Sequence, residues 1–171
     1  PTHRAAVLGS PIGHSLSPVL HSAGYQALGL DGWEYSRILC EADNLPGIVG
    51  EADETFRGFS VTMPCKFAAL DFADEVTERA QQIGSANTLT RIDGGWRADN
   101  TDCEGAMVAL LELLGETPAK RAVLVGAGGT ARAVMWALRE SGCEQVTVVN
   151  RSDRAAEYVE LAQGMEVSFC C

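Results

Sequence analysis

A strand, a glycine-rich turn and a helix in direct succession restrict the fold of this chain more than any other feature of its sequence. Arg121–Val125 is a short apolar run typical of a buried strand, and a helix is predicted over Thr130–Ser141. A second apolar run, Gln145–Val149, follows that helix. Two strands joined by a helix pair in parallel, so this part of the chain is predicted to be a β-α-β unit.

The turn in that unit matches a dinucleotide-binding motif. Gly126, Gly128 and Ala131 have the spacing G-x-G-x-x-G/A. The first glycine permits a tight turn, the second lets the backbone approach a pyrophosphate, and the small alanine lets the helix pack close to the sheet. The predicted cofactor contacts are Gly126, Ala127, Gly128, Gly129, Thr130 and Ala131. A tight connection without a ligand is the alternative interpretation.

The residues after the second strand favour NADP over NAD. An NAD site usually has Asp or Glu at this place to bind the ribose 2′-hydroxyl, whereas this chain has Asn150-Arg151-Ser152. A guanidinium pairs well with a 2′-phosphate, and Arg154 adds a second positive charge. The alternatives are that both arginines are solvated at a helix start, or that Asp153 permits NAD binding.

Strands and helices alternate along the whole chain, which is typical of an α/β protein. The other predicted helices are Pro18–Leu28, Asp43–Gly50, Lys66–Phe72, Thr77–Ile83, Cys103–Leu114 and Asp153–Gln163. The other predicted strands are Ala5–Leu8, Glu34–Leu39, Gly58–Thr62, a hairpin of Thr88–Ile92 with Trp96–Asp99, and Met165–Phe169. We expect an N-terminal α/β domain with a mixed, mainly parallel sheet over residues 1–102. A partial Rossmann-like domain is expected over residues 103–171.

Charge and cysteine usage narrow the class of protein. The formal net charge is −10 and no basic stripe is present, so we expect no nucleic-acid partner and no anionic membrane surface as partner. No apolar run approaches membrane-spanning length, and no secretory signal opens the sequence. Six scattered cysteines indicate free thiols in a reducing cytoplasm, and no His/Cys group has zinc-binding spacing.

Two serines follow the first predicted strand. Ser15 and Ser17 are two residues apart, so in an extended loop both hydroxyls point to one side and together suit a carboxylate or a polyol. The alternative is that Ser17 only caps the helix that begins at Pro18, while Ser15 is exposed. This segment taken alone favours the alternative.

A lysine and several polar groups follow other strands. Lys66 lies beyond the strand Gly58–Thr62, at the start of the helix predicted over Lys66–Phe72. The dipole of that helix disfavours a positive charge at its N-terminus, and a lysine in such a place suits proton transfer. The alternative is a solvated surface lysine. Asn87 offers both a donor and an acceptor to a hydroxylated ring. Asp102 either caps the helix from Cys103 or faces Lys66 at the strand ends, where open α/β sheets bind ligands.

Together these residues resemble the shikimate dehydrogenase family. The motifs that carry the resemblance, in the family's order, are Ser15-Leu16-Ser17-Pro18, Val61-Thr62-Met63-Pro64-Cys65-Lys66, Asn87-Thr88, Asp99-Asn100-Thr101-Asp102, Gly126-Ala127-Gly128-Gly129 and Asn150-Arg151-Ser152. The resemblance covers the chain from about Ala5 onward. It implies an oxidoreductase of aromatic amino-acid biosynthesis that reversibly reduces 3-dehydroshikimate to shikimate with NADP.

The resemblance also implies a role for each site residue. Lys66 and Asp102 would form the catalytic pair, and Ser15 and Ser17 would hold the substrate carboxylate. The ring hydroxyls would be bound by Thr62, Asn87, Asp102 and Lys66. The glycine-rich turn, Asn150-Arg151-Ser152 and Arg154 would hold NADP. An NAD-using quinate/shikimate dehydrogenase and a non-catalytic shikimate-binding fragment are the alternatives, and both a monomer and a homodimer are compatible with the sequence.

Three departures from the family pattern stand out. Cys65 occupies a position where glycine or phenylalanine is expected, which predicts a thiol-sensitive loop. The second arginine of the Asn-Arg-Thr-x-x-Arg pattern arrives one residue early, at Arg154, so its contact with a 2′-phosphate is less secure than that of Arg151. Family members also continue well beyond the length of this chain, so we expect a form truncated at the C-terminus.

Overall fold

The computed structural model describes residues 1–171, which separate into two compact units. The N-terminal unit comprises Pro1–Ala80 and Ser85–Asp99, and the C-terminal unit comprises Gln81–Gly84 and Asn100–Cys171. None of the helices, the longest of which has 13 residues, is long and apolar enough to cross a lipid bilayer.

The N-terminal unit is built on six strands. Its elements are β1 (His3–Gly9), α1 (Ser17–Ala27), β2 (Trp33–Leu39), α2 (Leu45–Gly50), β3 (Phe56–Val61), α3 (Lys66–Phe72), β4 (Glu75–Val76), α4 (Glu78–Ile83, which continues into the C-terminal unit), β5 (Thr88–Ile92) and β6 (Gly95–Asp99). The sheet order is β2-β1-β3-β5-β6-β4. The pairs β1–β2, β1–β3 and β4–β6 are parallel, and the pairs β3–β5 and β5–β6 are antiparallel. This confirms a mixed, mainly parallel sheet.

Alternation of side chains along the strands separates two apolar layers in this unit. Ala6 and Leu8 of β1 pack with Phe59 and Val61 of β3 in the larger core. Ala5 and Val7 point to the other face, where they pack with Ile12 and Tyr35. The six-stranded sheet is therefore covered on both faces around β1, which is typical of parallel strands.

The C-terminal unit contains α5 (Asp102–Leu114), β7 (Arg121–Val125), α6 (Gly129–Glu140), β8 (Gln145–Val149) and β9 (Glu166–Cys170). All strands are parallel in the order β7-β8-β9. Buried side chains of α6 and β8, including Met135, Leu138, Val146 and Val148, form its core with Tyr158 and Leu161.

The prediction that Arg121–Val125 is a buried strand was wrong in one respect. Val123 and Val125 are 70% and 81% exposed, whereas Ala122 and Leu124 pack against the core. The strand lies at the edge of the three-stranded sheet and pairs with β8 alone. Alternate side chains of a strand point to opposite faces of the sheet, and the core covers only the face of Ala122 and Leu124, which an apolar run does not reveal.

The helix predicted over Asp153–Gln163 does not form; the segment contains only a 3₁₀ turn at Ala155–Tyr158. The Asp153 carboxylate accepts from the Ala155 N–H (2.8 Å), as at the start of a helix. The Glu157 carbonyl, which a continuing helix would pair with the N–H four residues later, instead accepts from Arg132 Nη1 of α6 (2.9 Å). This side-chain donor from another element competes with helix formation.

Two further differences are small. The helix predicted over Asp43–Gly50 is divided into a 3₁₀ turn, Ala42–Asn44, and α2. The two-residue strand β4 was not predicted because it is too short to show alternation.

Candidate active site

The residues predicted to bind substrate in the N-terminal unit follow or precede strands at one edge of its sheet. β1, β3 and β6 run in the same direction, and β5 runs in the opposite direction. The loops after β1 and β3 therefore reach the same edge as the start of β5 and the end of β6. Ser15, Ser17, Thr62, Lys66 and Asn87 all lie at this edge.

The loops after β1 and β3 are hydrogen-bonded to each other. The Thr62 N–H donates to the Leu8 carbonyl (2.9 Å), and the Ser10 N–H donates to the Met63 carbonyl (3.0 Å). A Cβ at Gly9 would lie 2.4 Å from Thr62 Cγ2 and 2.8 Å from the Met63 oxygen. Gly9 is thus required for the close approach of the loops, a role that sequence analysis missed although a glycine at a strand end signals it.

The hydroxyls of Ser15 and Ser17 lie side by side. The Ser15 hydroxyl donates to Ser17 Oγ (3.2 Å) and accepts from the Ser17 N–H (3.3 Å). The predicted helix cap at Ser17 is wrong, because α1 begins after Leu16 and no side chain caps it. The alternative of an exposed Ser15 is also wrong, since both serines are partly buried. The pair therefore presents two adjacent hydroxyl groups that could bind both oxygens of a carboxylate.

A guanidinium holds the loop that carries these hydroxyls. Arg37 on β2 donates from Nε (2.9 Å) and from Nη2 (2.5 Å) to the Ser15 carbonyl oxygen. Sequence analysis missed this residue, since the contact joins positions 22 residues apart. The signal in the sequence is a cation on the strand face that otherwise carries Trp33, Tyr35 and Leu39.

Backbone hydrogen bonds connect Lys66 with the segment of Asn87. Lys66 is the first residue of α3, and its carbonyl accepts from the Ala86 N–H (2.9 Å). Asn87 is held between strands: its carbonyl accepts from Val61 N–H (2.7 Å) and its N–H donates to the Asp99 carbonyl (3.0 Å). The Thr88 hydroxyl donates to Asn87 Oδ1 (2.8 Å). The loop of Thr62 and Lys66 and the start of β5 therefore form one connected region.

Asp99 has a structural role within its motif. Its carboxylate accepts from Arg79 Nε (2.7 Å) and Nη2 (2.6 Å) and from the Thr77 hydroxyl (2.7 Å). These contacts join the end of β6 to α4. Arg79 was another residue that the sequence analysis missed.

Asp102 belongs to the C-terminal unit, whereas Lys66 belongs to the N-terminal unit. Asp102 is the first residue of α5, and Thr101 precedes it at the N-cap position. Its N–H donates to Oδ1 of the buried Asn100 (3.1 Å), and its carboxylate in the first turn is favoured by the helix dipole. That Lys66 and Asp102 meet at one substrate hydroxyl stays a prediction.

The residues predicted to bind the cofactor lie at one edge of the C-terminal sheet. Gly126 has a φ of 101°, which favours glycine, and its N–H donates to the Val149 carbonyl (2.8 Å). Gly128 precedes α6 in an extended conformation, and Gly129, Thr130 and Ala131 form its first turn. Because β7 and β8 are parallel, this turn and the residues after Val149 reach the same edge, where nucleotides bind in such sheets.

The segment after β8 places its two arginines differently. Asn150 Nδ2 donates to the Ser152 carbonyl (2.8 Å), which shapes the turn, and Arg151 is exposed. Arg154 is only partly exposed; its guanidinium contacts the Glu157 carboxylate and the Ala127 carbonyl. The structure thus leaves Arg151 accessible to an anion and directs Arg154 toward protein groups.

The predicted thiol sensitivity of the Cys65 loop is wrong. The Cys65 side chain is fully buried, and its thiol donates to the Cys40 carbonyl (3.1 Å). Burial, together with the neighbouring Cys40 thiol, raises the pKa of Cys65 to about 12. Since the thiolate is the reactive form, this cysteine is inert in the folded chain.

Two known protein families match this chain, one in the N-terminal part and one in the C-terminal part. A family model described as "Shikimate dehydrogenase substrate binding domain" matches residues 7–89. A second, described as "Shikimate / quinate 5-dehydrogenase", matches residues 110–170. The first match includes the serine pair, Lys66 and Asn87, and the second includes the glycine-rich turn and Asn150-Arg151-Ser152.

Curated relatives and solved structures give the same result. The chain is 40% identical over 151 residues to a shikimate dehydrogenase (NADP(+)) of Synechocystis sp., a match that covers 88% of this chain and 52% of that protein. The shikimate dehydrogenase of Mycobacterium tuberculosis is 52% identical with a TM-score of 0.86, and the match covers 98% of this chain and 63% of that one. The Thermus thermophilus enzyme, crystallised with NADP(H) and shikimate, is 38% identical with a TM-score of 0.83 over 96% of this chain and 62% of that one. The chain spans about half the length of the curated relatives it matches.

Proposed function

The chain belongs to the shikimate dehydrogenase family, and from this membership we propose that it serves the NADP-dependent, reversible reduction of 3-dehydroshikimate to shikimate. In this proposal the region of residues 1–102 binds the substrate and residues 103–171 bind the cofactor. The observation that carries the proposal is the pair of adjacent hydroxyls on Ser15 and Ser17, 3.2 Å apart, at the same sheet edge as Lys66 and Asn87.

The polar groups at this edge fit a small, hydroxylated carboxylic acid. The two serine hydroxyls would donate to the carboxylate, and Thr62, Lys66 and Asn87 would bind ring hydroxyls through donors and acceptors. The Arg37 guanidinium, which contacts the same loop, adds positive charge in a protein whose formal net charge is −10. Local groups of this kind are needed to hold an anion where the overall charge repels it.

The C-terminal unit fits a dinucleotide. The positive φ of Gly126, the start of α6 after Gly128 and the exposed Arg151 together provide a turn, a helix N-terminus and a cation for phosphate groups. Gly126–Ala131 would hold the pyrophosphate, and Asn150, Arg151 and Ser152 would hold the ribose with its 2′-phosphate. When bound, NADP would carry the hydride that is exchanged with the substrate.

Lys66 and Asp102 would carry the proton chemistry. As the ketone of 3-dehydroshikimate is reduced, its oxygen gains negative charge, and the Lys66 ammonium would donate a hydrogen bond or a proton to it. The Asp102 carboxylate would accept from the resulting hydroxyl and orient the ammonium. In the reverse direction the same pair would accept the hydroxyl proton.

We also propose that the protein is cytoplasmic and acts as a monomer or a homodimer. Its partner would be a small-molecule substrate, and neither nucleic acid nor a membrane. All six cysteines are free thiols, in agreement with a reducing compartment. The acidic net charge disfavours nucleic acid as a partner.

Two measurements on the 171-residue chain test the function. Calorimetric titration with shikimate is expected to show binding that the variants Ser15→Ala and Ser17→Ala weaken. Reduction of NADP⁺ in the presence of shikimate, followed by nicotinamide absorbance, reports turnover, with NAD⁺ and quinate as comparison reactants. Binding with turnover supports the dehydrogenase, binding without turnover supports a shikimate-binding fragment, and absence of binding contradicts both.

A further inference from the structure

Arg154 connects the glycine-rich turn to the segment after β8. Its Nη1 donates to the carbonyl of the buried Ala127 (2.9 Å). Its Nε and Nη2 donate to the two carboxylate oxygens of Glu157, at 2.8 and 2.5 Å. A guanidinium that forms a two-pronged pair with a carboxylate is held in a defined orientation. The ion pair with Glu157 therefore orients the remaining donor, Nη1, toward the Ala127 carbonyl in the turn.

Glu157 is itself held from the helix that follows the turn. Arg132 of α6 is buried, and its Nη1 donates to the Glu157 carbonyl (2.9 Å). The guanidinium of Arg132 also lies over the ring of Tyr158, 5.1 Å from its centroid. The contacts Ala127–Arg154–Glu157–Arg132 therefore connect the turn, the segment after β8 and the first part of α6.

The same pairing makes Arg154 a poor ligand for a phosphate. Its positive charge lies against the Glu157 carboxylate, which would repel an approaching phosphate dianion. The mutual hydrogen bonds lower the pKa of Glu157 and raise that of Arg154, so both groups stay charged near neutral pH. Arg151, three residues earlier, is exposed and forms no ion pair.

We propose that Arg154 is a positioning residue that holds the glycine-rich turn for any dinucleotide and is not a ligand of the 2′-phosphate, a role that the proposed function already gives to Arg151. This inference rests on the proposed cofactor site. It assigns the two arginines of one segment to different tasks: Arg154 fixes the backbone that binds the pyrophosphate common to both cofactors, and Arg151 contacts the 2′-phosphate that only NADP carries.

Binding measurements with NADP⁺ and NAD⁺ separate the two roles. Arg154→Ala is expected to weaken binding of both dinucleotides by a similar factor, about three- to tenfold, so their affinity ratio stays constant. Arg154→Lys is expected to restore part of the loss, because an ammonium still reaches a carboxylate or a carbonyl. Arg151→Ala is expected to weaken NADP⁺ binding by about tenfold or more and to bring it close to that of NAD⁺. A loss confined to NADP⁺ in Arg154→Ala would overturn the proposal.

Hydrogen exchange of the ligand-free chain tests the positioning role without cofactor. Amides of residues 126–131 are expected to exchange faster in Arg154→Ala and in Glu157→Gln than in the wild type, and to be unchanged in Arg151→Ala. Unchanged exchange in both Arg154→Ala and Glu157→Gln would overturn the proposal. If the wild type binds neither dinucleotide, the proposed function fails, whereas the exchange pattern still decides whether Arg154 holds the turn.

Discussion

The guanidinium of Arg37 donates two hydrogen bonds, of 2.9 and 2.5 Å, to the carbonyl oxygen of Ser15. The contact ties the loop after β1 to the edge strand β2. It holds the backbone of the residue whose hydroxyl lies 3.2 Å from that of Ser17. The orientation of the proposed carboxylate site therefore depends on a side chain from a different strand.

Loss of this contact is expected to weaken substrate binding more than turnover. Arg37→Ala removes a cation and the two donors that hold Ser15, so we expect the affinity for shikimate to fall about three- to tenfold. The measurement is calorimetric titration with shikimate. Arg57→Ala, which removes an exposed arginine from β3, is the matched control and is expected to bind like the wild type. Equal affinity of the Arg37 and Arg57 variants would contradict the role of Arg37.

Removal of the proposed proton donor is expected to affect turnover most. In Lys66→Ala, kcat for shikimate-dependent NADP⁺ reduction is expected to fall at least about a hundredfold, which is the usual size of a general acid–base contribution. The affinity for shikimate is expected to change far less, because the serine pair still binds the carboxylate. Lys120→Ala, which removes an exposed lysine paired with Glu144, serves as the control. An unchanged kcat in Lys66→Ala would disprove the role of this lysine.

The approach of the two loops at Gly9 is expected to be sensitive to a single methyl group. In Gly9→Ala the new Cβ would lie 2.4 Å from Thr62 Cγ2 and 2.8 Å from a backbone oxygen, so the loops must separate. We expect a loss of about 1–3 kcal/mol in the free energy of unfolding, measured by urea denaturation. Gly13→Ala is the matched control, since no atom lies within 4 Å of a Cβ at that position. A Gly9→Ala variant as stable as Gly13→Ala would contradict the close contact.

Thiol labelling is expected to distinguish the cysteines by burial. Cys170 and Cys171 are exposed, and the other four are buried. At about pH 8 a disulfide reagent is expected to label two thiols in the folded chain and all six after denaturation. Rapid labelling of a third thiol in the native protein would contradict this arrangement.

The Cys65 thiol is also expected to make stability depend on alkaline pH. Its pKa is raised from 9.0 to about 12 in the folded chain, so it stays protonated there, whereas it ionises in the unfolded chain above its ordinary pKa. Unfolding is therefore favoured progressively as the pH rises from 9.0 toward 12. Cys65→Ser, compared with the wild type by thermal melts across this range, is expected to reduce the pH dependence. If the melting temperatures of the two proteins change with pH in the same way, the raised pKa of Cys65 is contradicted.

Local patterns were sufficient for most elements of the fold. The helix Lys66–Phe72 and the strand Gln145–Val149 agree with the structure at both ends, and the glycine-rich turn lies between a strand and a helix as expected. Such features depend on residues near one another in the chain, namely apolar periodicity and turn-forming glycine or proline. The segment after Asn150 was wrongly predicted as a helix, because the competing hydrogen bond from Arg132 comes from a different element.

The sequence by itself determined the α/β class, the dinucleotide-type turn and the serine pair, since each follows from residues within a few positions of one another. Only the tertiary structure decided which groups each arginine contacts: Arg37 the Ser15 carbonyl, Arg79 the Asp99 carboxylate, and Arg154 Glu157 with Ala127. A long cationic side chain reaches several backbone and carboxylate acceptors, and which of them it meets depends on how the strands and helices pack. That packing joins positions far apart in the chain, which no local pattern encodes.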